Sequence, residues 1–171
     1  MATLNRPTDF VPQQAEPGRA AEIWLSHGDH GENGRPDRRA EAERAGRSVR
    51  HVLIVEDELL IAWHLEDLIK GMSHHVCGVT ARGEDAVAKI RALDPDLVLM
   101  DVNLAGQMDG IEAARRISEA ATVPIIFITA YGDRDTLERI ERVAPGSVVL
   151  QKPITADGLS RAVAAALKRL N

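Results

Sequence analysis

From residue 52 onward, short apolar runs recur at regular intervals: VLIV (52–55), HVCGV (75–79), DLVLM (96–100), VPIIFIT (123–129) and SVVL (147–150). Runs of four to seven residues, rich in β-branched side chains, are the length of strands and too short for ordinary helices. Between them the apolar positions recur every three or four residues. Ile61, Leu65, Leu68, Ile69 and Met72 form one such stripe, and Ala86, Val87, Ile90 and Leu93 a second. Ile111, Ala114 and Ile117 form a third, Leu137 and Ile140 with Val143 and Ala144 a fourth, and Leu159, Val163, Ala166, Leu167 and Leu170 a fifth. Each stripe predicts an amphipathic helix that lays one face on a sheet. The prediction is five strands alternating with five helices. Strands that are apolar throughout must be covered on both faces, which implies an α/β fold with a parallel sheet between two helical layers.

Ligands of such sheets bind beyond the carboxyl ends of the strands, where the strand order reverses. The first strand runs directly into three acids, Glu56, Asp57 and Glu58; the third ends at Asp101, the fourth at Thr129, and the fifth leads into Lys152 and Pro153. Singly, each has an ordinary explanation: acids serve a helix N-terminus, Thr suits a strand, Lys-Pro makes a turn. A parallel sheet, however, brings the ends of strands one and three together and sets strands four and five beyond Asp101. Two carboxylates about 4 Å apart repel by roughly 1 kcal/mol in water and about 4 kcal/mol at an effective dielectric near 20. A hard divalent cation relieves that repulsion, and Mg2+ favours carboxylates, a carbonyl, waters and phosphoryl oxygens, with Mn2+ as its substitute.

Composition narrows the alternatives. Among 171 residues, 21 Lys and Arg stand against 26 Asp and Glu, so there is no overall basic field to hold nucleic acid. Residues 1–50 carry 8 basic and 8 acidic groups, so the net charge of −5 resides in the remainder. That first segment is rich in Pro, Gly, Arg and Glu with scattered apolar positions, and is expected to be a disordered extension preceding a domain at 51–171. A short helix over 37–47 fits its Ala, Glu and Arg content but has no apolar stripe to dock. His27 and His30 are two ligands in a Gly-rich stretch and do not make a metal site. Cys77 is the sole cysteine and excludes an internal disulfide. No apolar run is long enough to span a bilayer and the start does not read as a signal sequence, so a cytoplasmic location without membrane attachment is expected.

The stretches VLIVEDE, LVLMDVNL, FITA and QKP together resemble the signatures of the receiver domain of two-component response regulators, over residues 51–171. The resemblance implies a flavodoxin-like five-stranded sheet in the order 2-1-3-4-5. It implies that Asp101 accepts a phosphoryl group from a sensor histidine kinase or a histidine phosphotransfer protein. Glu56, Asp57, Asp101 and the backbone carbonyl of Asn103 would hold Mg2+. Thr129 would bond a phosphoryl oxygen, Lys152 would pair with Asp101 and then with the phosphate, and the bond before Pro153 would be cis. The implied role is phosphorylation-dependent binding of a downstream protein, as a monomer or a phosphorylation-dependent dimer, without enzymatic turnover. Since the chain stops at Asn171, just after the last helix, no output domain is expected. LIAWHLEDLI is similar to the first receiver helix of stress regulators that mimic sigma factors.

Three positions depart from the family pattern. Val149 replaces the aromatic residue that many receivers carry three positions before the lysine, which puts the usual Thr-to-aromatic coupling in doubt. Tyr131, two residues after Thr129, could take a related switching part, and its bulk is expected to slow hydrolysis of an aspartyl phosphate. In DVNLAGQMDG the common loop proline is absent, Ala105 and Gly106 stand there, and the loop is one residue longer. Two other readings stay open: a degenerate receiver that binds partners without phosphate, and a Mg2+-dependent phosphatase of the haloacid dehalogenase type. The latter resembles enzymes that need a second aspartate two positions after the nucleophile, where this chain has Asn103.

Overall fold

The computed structural model describes residues 49–130 and 132–168. The expected extension, the 37–47 helix, His27, His30, Tyr131 and Leu170 lie outside them. The apolar runs become β1 (His51–Val55), β2 (His75–Thr80), β3 (Leu97–Asp101), β4 (Ile125–Thr129) and β5 (Val148–Gln151). They form one parallel sheet in the order β2-β1-β3-β4-β5. The intervening stripes become α1 (Leu59–Gly71), α2 (Gly83–Leu93), α3 (Gly110–Ala120), α4 (Arg134–Val143) and α5 (Ala156–Lys168). The doubly wound architecture is the one that the pattern of apolar runs implies.

Successive strand residues point to opposite faces, and both faces are sealed. Leu53, Val55, Val98, Met100 and Phe127 join one core with Ala86, Ile90, Ile111 and Ile117 from α2 and α3. Val52, Ile54, Leu97, Leu99, Ile126 and Ile128 join the other with Leu65 and Ile69 of α1 and Leu159 and Val163 of α5. Each fully buried aliphatic side chain of this size contributes roughly 1.5–3 kcal/mol. The two edge strands are less covered: most of β2 and β5 is half-buried. Ala62 and Ala113 are also buried, because close helix-to-sheet and helix-to-helix packing favours small residues there.

One helical stripe differs from expectation. Leu137 has the spacing of a core-facing residue of α4, yet it is 41% exposed, and Ile140 is the buried residue of that helix. The sequence RDTLERIERV is polar on most of its circumference, so α4 buries Ile140 alone and leaves Leu137 beside a groove with Ile140 and Val149. Trp63 lies opposite the stripe of α1 and is exposed, as its helical position predicts.

Two helix starts are capped by acids. Asp109 Oδ1 accepts the Glu112 N–H at 2.8 Å to cap α3, and Asp133 Oδ1 accepts the Thr136 N–H at 2.9 Å to cap α4. The other oxygen of Asp109 takes Arg139 of α4 at 2.6 Å. An Asp109→Ala variant is expected to lose about 1 kcal/mol, nearly all of it from the cap, since an exposed ion pair adds little. A urea midpoint unchanged from wild type would contradict that assignment.

Candidate functional site

The sheet register gathers the strand-end residues. Val55 lies opposite Met100, so the next residues, Glu56 and Asp101, emerge side by side from β1 and β3. Asp101 in turn lies opposite Ile128, and Thr129 opposite Gln151, which carries Lys152 to the same edge. The Lys152 N–H donates to the Thr129 carbonyl at 2.9 Å, fixing where the lysine stem begins. Glu56, Asp101 and Thr129 are buried, and Asp57 is half-buried at the rim.

One oxygen from each of Glu56, Asp57 and Asp101 lies within 4.8 Å of the others. The Lys152 ammonium stands among them, 3.0 Å from Glu56 Oε2, 3.3 Å from Asp101 Oδ2 and 3.7 Å from Glu58 Oε1. The resemblance implies the Asp101 contact; the shorter contact to Glu56 is an addition. Glu56 Oε1 accepts the Glu58 N–H at 3.2 Å, whereas Asp101 Oδ1 is buried without a hydrogen-bond partner. Glu56 Oε2 also lacks a hydrogen bond of good geometry, so its 3.0 Å approach to Lys152 is a contact of charges. Three carboxylates thus share one ammonium, with Asp57 beside them.

The electrostatics follow from that imbalance. The Glu56 carboxyl is pushed up from 4.5 to about 7, first by burial and then by the Asp101 charge, with Lys152 opposing both. Asp101 is also raised, first by burial, with Lys152 and the Asn103 backbone N–H pulling the other way. Burial lowers the Lys152 pKa, but Glu56 and Asp101 outweigh it and hold the ammonium above its ordinary value. Inward oxygens that keep a raised proton affinity, one of them orphaned, form a donor set that fits a hard divalent cation.

The remaining predicted residues fall around this cluster. Asn103 is exposed two residues beyond Asp101. The Lys152–Pro153 peptide is cis. Val149 is half-buried in β5 opposite Phe127. The histidines lie apart: His64 Nε2 meets the Ile154 carbonyl at 3.1 Å, His74 Nδ1 accepts the Arg50 N–H at 3.4 Å, and His75 packs edge-on to His51.

Three features escaped the sequence reading. Glu58 reaches Lys152. The Ala105 N–H donates to Asp57 Oδ2 at 3.1 Å, a bond whose only signal is the missing loop proline. Gly110 opens α3 so close to β3 that a Cβ there would lie 1.8 Å from the Asp101 carbonyl oxygen; the Asp-Gly pair at a helix start was the available clue.

The family model described as the response regulator receiver domain matches residues 52–164. Among curated relatives, the transcriptional regulatory protein PdtaR of Mycobacterium tuberculosis is 37% identical over 120 residues, covering 70% of this chain and 58% of PdtaR. The phyllosphere-induced regulator PhyR of Methylorubrum extorquens is 37% identical over 127 residues, covering 73% of this chain and 46% of PhyR. The chain therefore spans about half the length of these relatives. Among solved structures, the signal receiver domain of a modulated diguanylate cyclase from Desulfovibrio desulfuricans superposes with a TM-score of 0.67 at 39% identity, over 71% of this chain and 96% of that one. The PhyR receiver domain of Erythrobacter litoralis gives a TM-score of 0.63 at 36% identity, over 70% and 91%. Strand order and family match agree over the same stretch, and the chain belongs to the response regulator receiver family.

Proposed function

We propose that this protein accepts a phosphoryl group on Asp101 from a histidine kinase or a histidine phosphotransfer protein, and signals by binding a downstream protein in the modified state. The observation that carries the proposal is the buried, unpartnered Asp101 Oδ1, set beside Glu56, Asp57 and Lys152 at the open edge of the sheet. Asp101 is the nucleophile: its carboxylate oxygen forms a bond to phosphorus as the phosphorus–nitrogen bond to the donor imidazole breaks, and the leaving nitrogen keeps the electron pair and takes a proton. Glu56, Asp57, Asp101 and the Asn103 carbonyl are the groups that would hold Mg2+, which when bound supplies neutralisation of charge on the transferring group.

The chain's own residues supply the rest. Lys152, already 3.3 Å from Asp101 Oδ2, is in reach of a phosphoryl oxygen placed there. Thr129, buried at the end of β4, would bond a phosphoryl oxygen there. Asn103 stands where a haloacid dehalogenase phosphatase needs a general acid, which supports stoichiometric modification over turnover. No helix among the described residues is long and apolar enough to cross a membrane, and the site of action proposed is the cytoplasm.

The test is incubation of the full chain with acetyl phosphate, with and without Mg2+, followed by intact mass and hydroxylamine treatment. One phosphoryl group per chain, dependent on Mg2+ and lost to hydroxylamine, is expected. An unmodified chain under conditions that label a control receiver would favour the phosphate-independent binding module.

A further inference from the structure

Of the three carboxylates that face one another at the sheet edge, two are held from within. Glu56 takes the Glu58 N–H and the Lys152 ammonium, and Asp101 takes Lys152. Asp57 is different: it is half-buried at the rim, and like-charge repulsion from its two neighbours favours rotation out to water. Among the described residues, the hydrogen bond that fixes it comes from the loop after β3, where the Ala105 N–H donates to Asp57 Oδ2 at 3.1 Å. That donor exists because residue 105 is not proline. Proline, which receivers commonly carry in this loop, has no N–H to give. Gly106 follows with φ +133°, a backbone conformation that suits glycine, and it turns the chain away again toward Arg82 and Glu84.

We propose that the Ala105 backbone N–H is a positioning group for the cation seat, holding Asp57 turned toward Glu56 and Asp101 and tying the loop after β3 to the seat's occupancy. The proposal rests on the divalent-cation reading given above. The tether and a cation are compatible, because a carboxylate offers about four lone-pair sites and the loop uses one of them. Hydrogen bonds to ligating carboxylates of this kind fix ligand orientation in advance of binding, and losing one typically weakens metal affinity by 10–100-fold.

Two substitutions separate the N–H from the shape of the loop. Ala105→Pro deletes the donor, whereas Ala105→Gly keeps it. Calorimetric titration of the full-length protein with Mg2+ at pH 8 should show the proline variant binding about tenfold more weakly, with the glycine variant within about twofold of wild type. In the wild type, exchange of the Ala105 amide followed by NMR should slow when Mg2+ is added. Equal Mg2+ affinity in wild type and Ala105→Pro overturns the proposal and leaves the cation site standing. Equal loss in both variants assigns the effect to loop shape and also overturns it. Wild type that binds no Mg2+ removes the cation reading together with the proposal. If Ala105→Pro does not fold, the amide exchange decides: an Ala105 N–H that exchanges fast in both states refutes the tether.

Discussion

An Asp101→Asn protein should take up no phosphoryl group from any donor that labels the wild type, and in metal-free buffer it should melt at a higher temperature. The first half follows from replacing an anionic nucleophile by a neutral amide, and the expected loss is complete. The second half follows from the charge count at the sheet edge. Burial raises the Asp101 pKa even though Lys152 is close by, which means that its charged form is less favourable in the fold than in water. Removing that charge therefore stabilises the metal-free protein, while Lys152 keeps its 3.0 Å contact with Glu56. Each ~1 kcal/mol gained would raise the midpoint by roughly 4 °C for a domain of this size. Differential scanning calorimetry in EDTA measures it. A variant that melts below the wild type would show that Lys152 stabilises the ionised Asp101 by more than burial costs, and labelling that persists would place the acceptor elsewhere.

The fold was legible because both of its layers leave marks in the sequence. Val52 to Val55 and Ile125 to Ile128 are apolar at every position, since alternate side chains enter separate cores, and that pattern alone implies a sheet covered twice. The site was legible for the same reason: its members stand where buried strands stop, so Glu56, Asp101 and Lys152 could be found by position before any contact was known. What stayed hidden depends on geometry that side-chain type does not encode. Leu137 has the spacing of a core residue, but α4 is too polar to roll it inward. Glu58 meets Lys152 because the chain turns at the start of α1. Ala105 contributes a backbone group, and a backbone donor shows in a sequence only where a proline would have removed it.

Glu56 ties stability to pH and to the cation. In the fold its carboxyl titrates near 7 against 4.5 in the unfolded chain, so between those values the folded protein holds a proton that the unfolded one has released. Stability of the metal-free protein should therefore be greatest below about 4.5 as far as this group is concerned, and should fall as pH rises through 7, by at most about 3 kcal/mol. Asp101, also raised, acts in the same direction. His74 and His75 act in the opposite direction, because burial lowers their pKa and acid pulls the unfolded chain toward its protonated form. The informative quantity is thus the difference between wild type and Glu56→Gln, in which the histidine contribution cancels. In urea unfolding with EDTA, that difference should shift in favour of the Gln variant as pH rises from 5 to 8. Mg2+ should reverse the trend for the wild type: at pH 8 the carboxylates are open to the cation, which stabilises the fold by mass action, whereas at pH 5 a proton already occupies Glu56 and the increment shrinks. Parallel pH profiles for the two proteins, or an equal Mg2+ increment at pH 5 and pH 8, would mean that Glu56 ionises freely in the fold and that the crowded acids are not what the cation relieves.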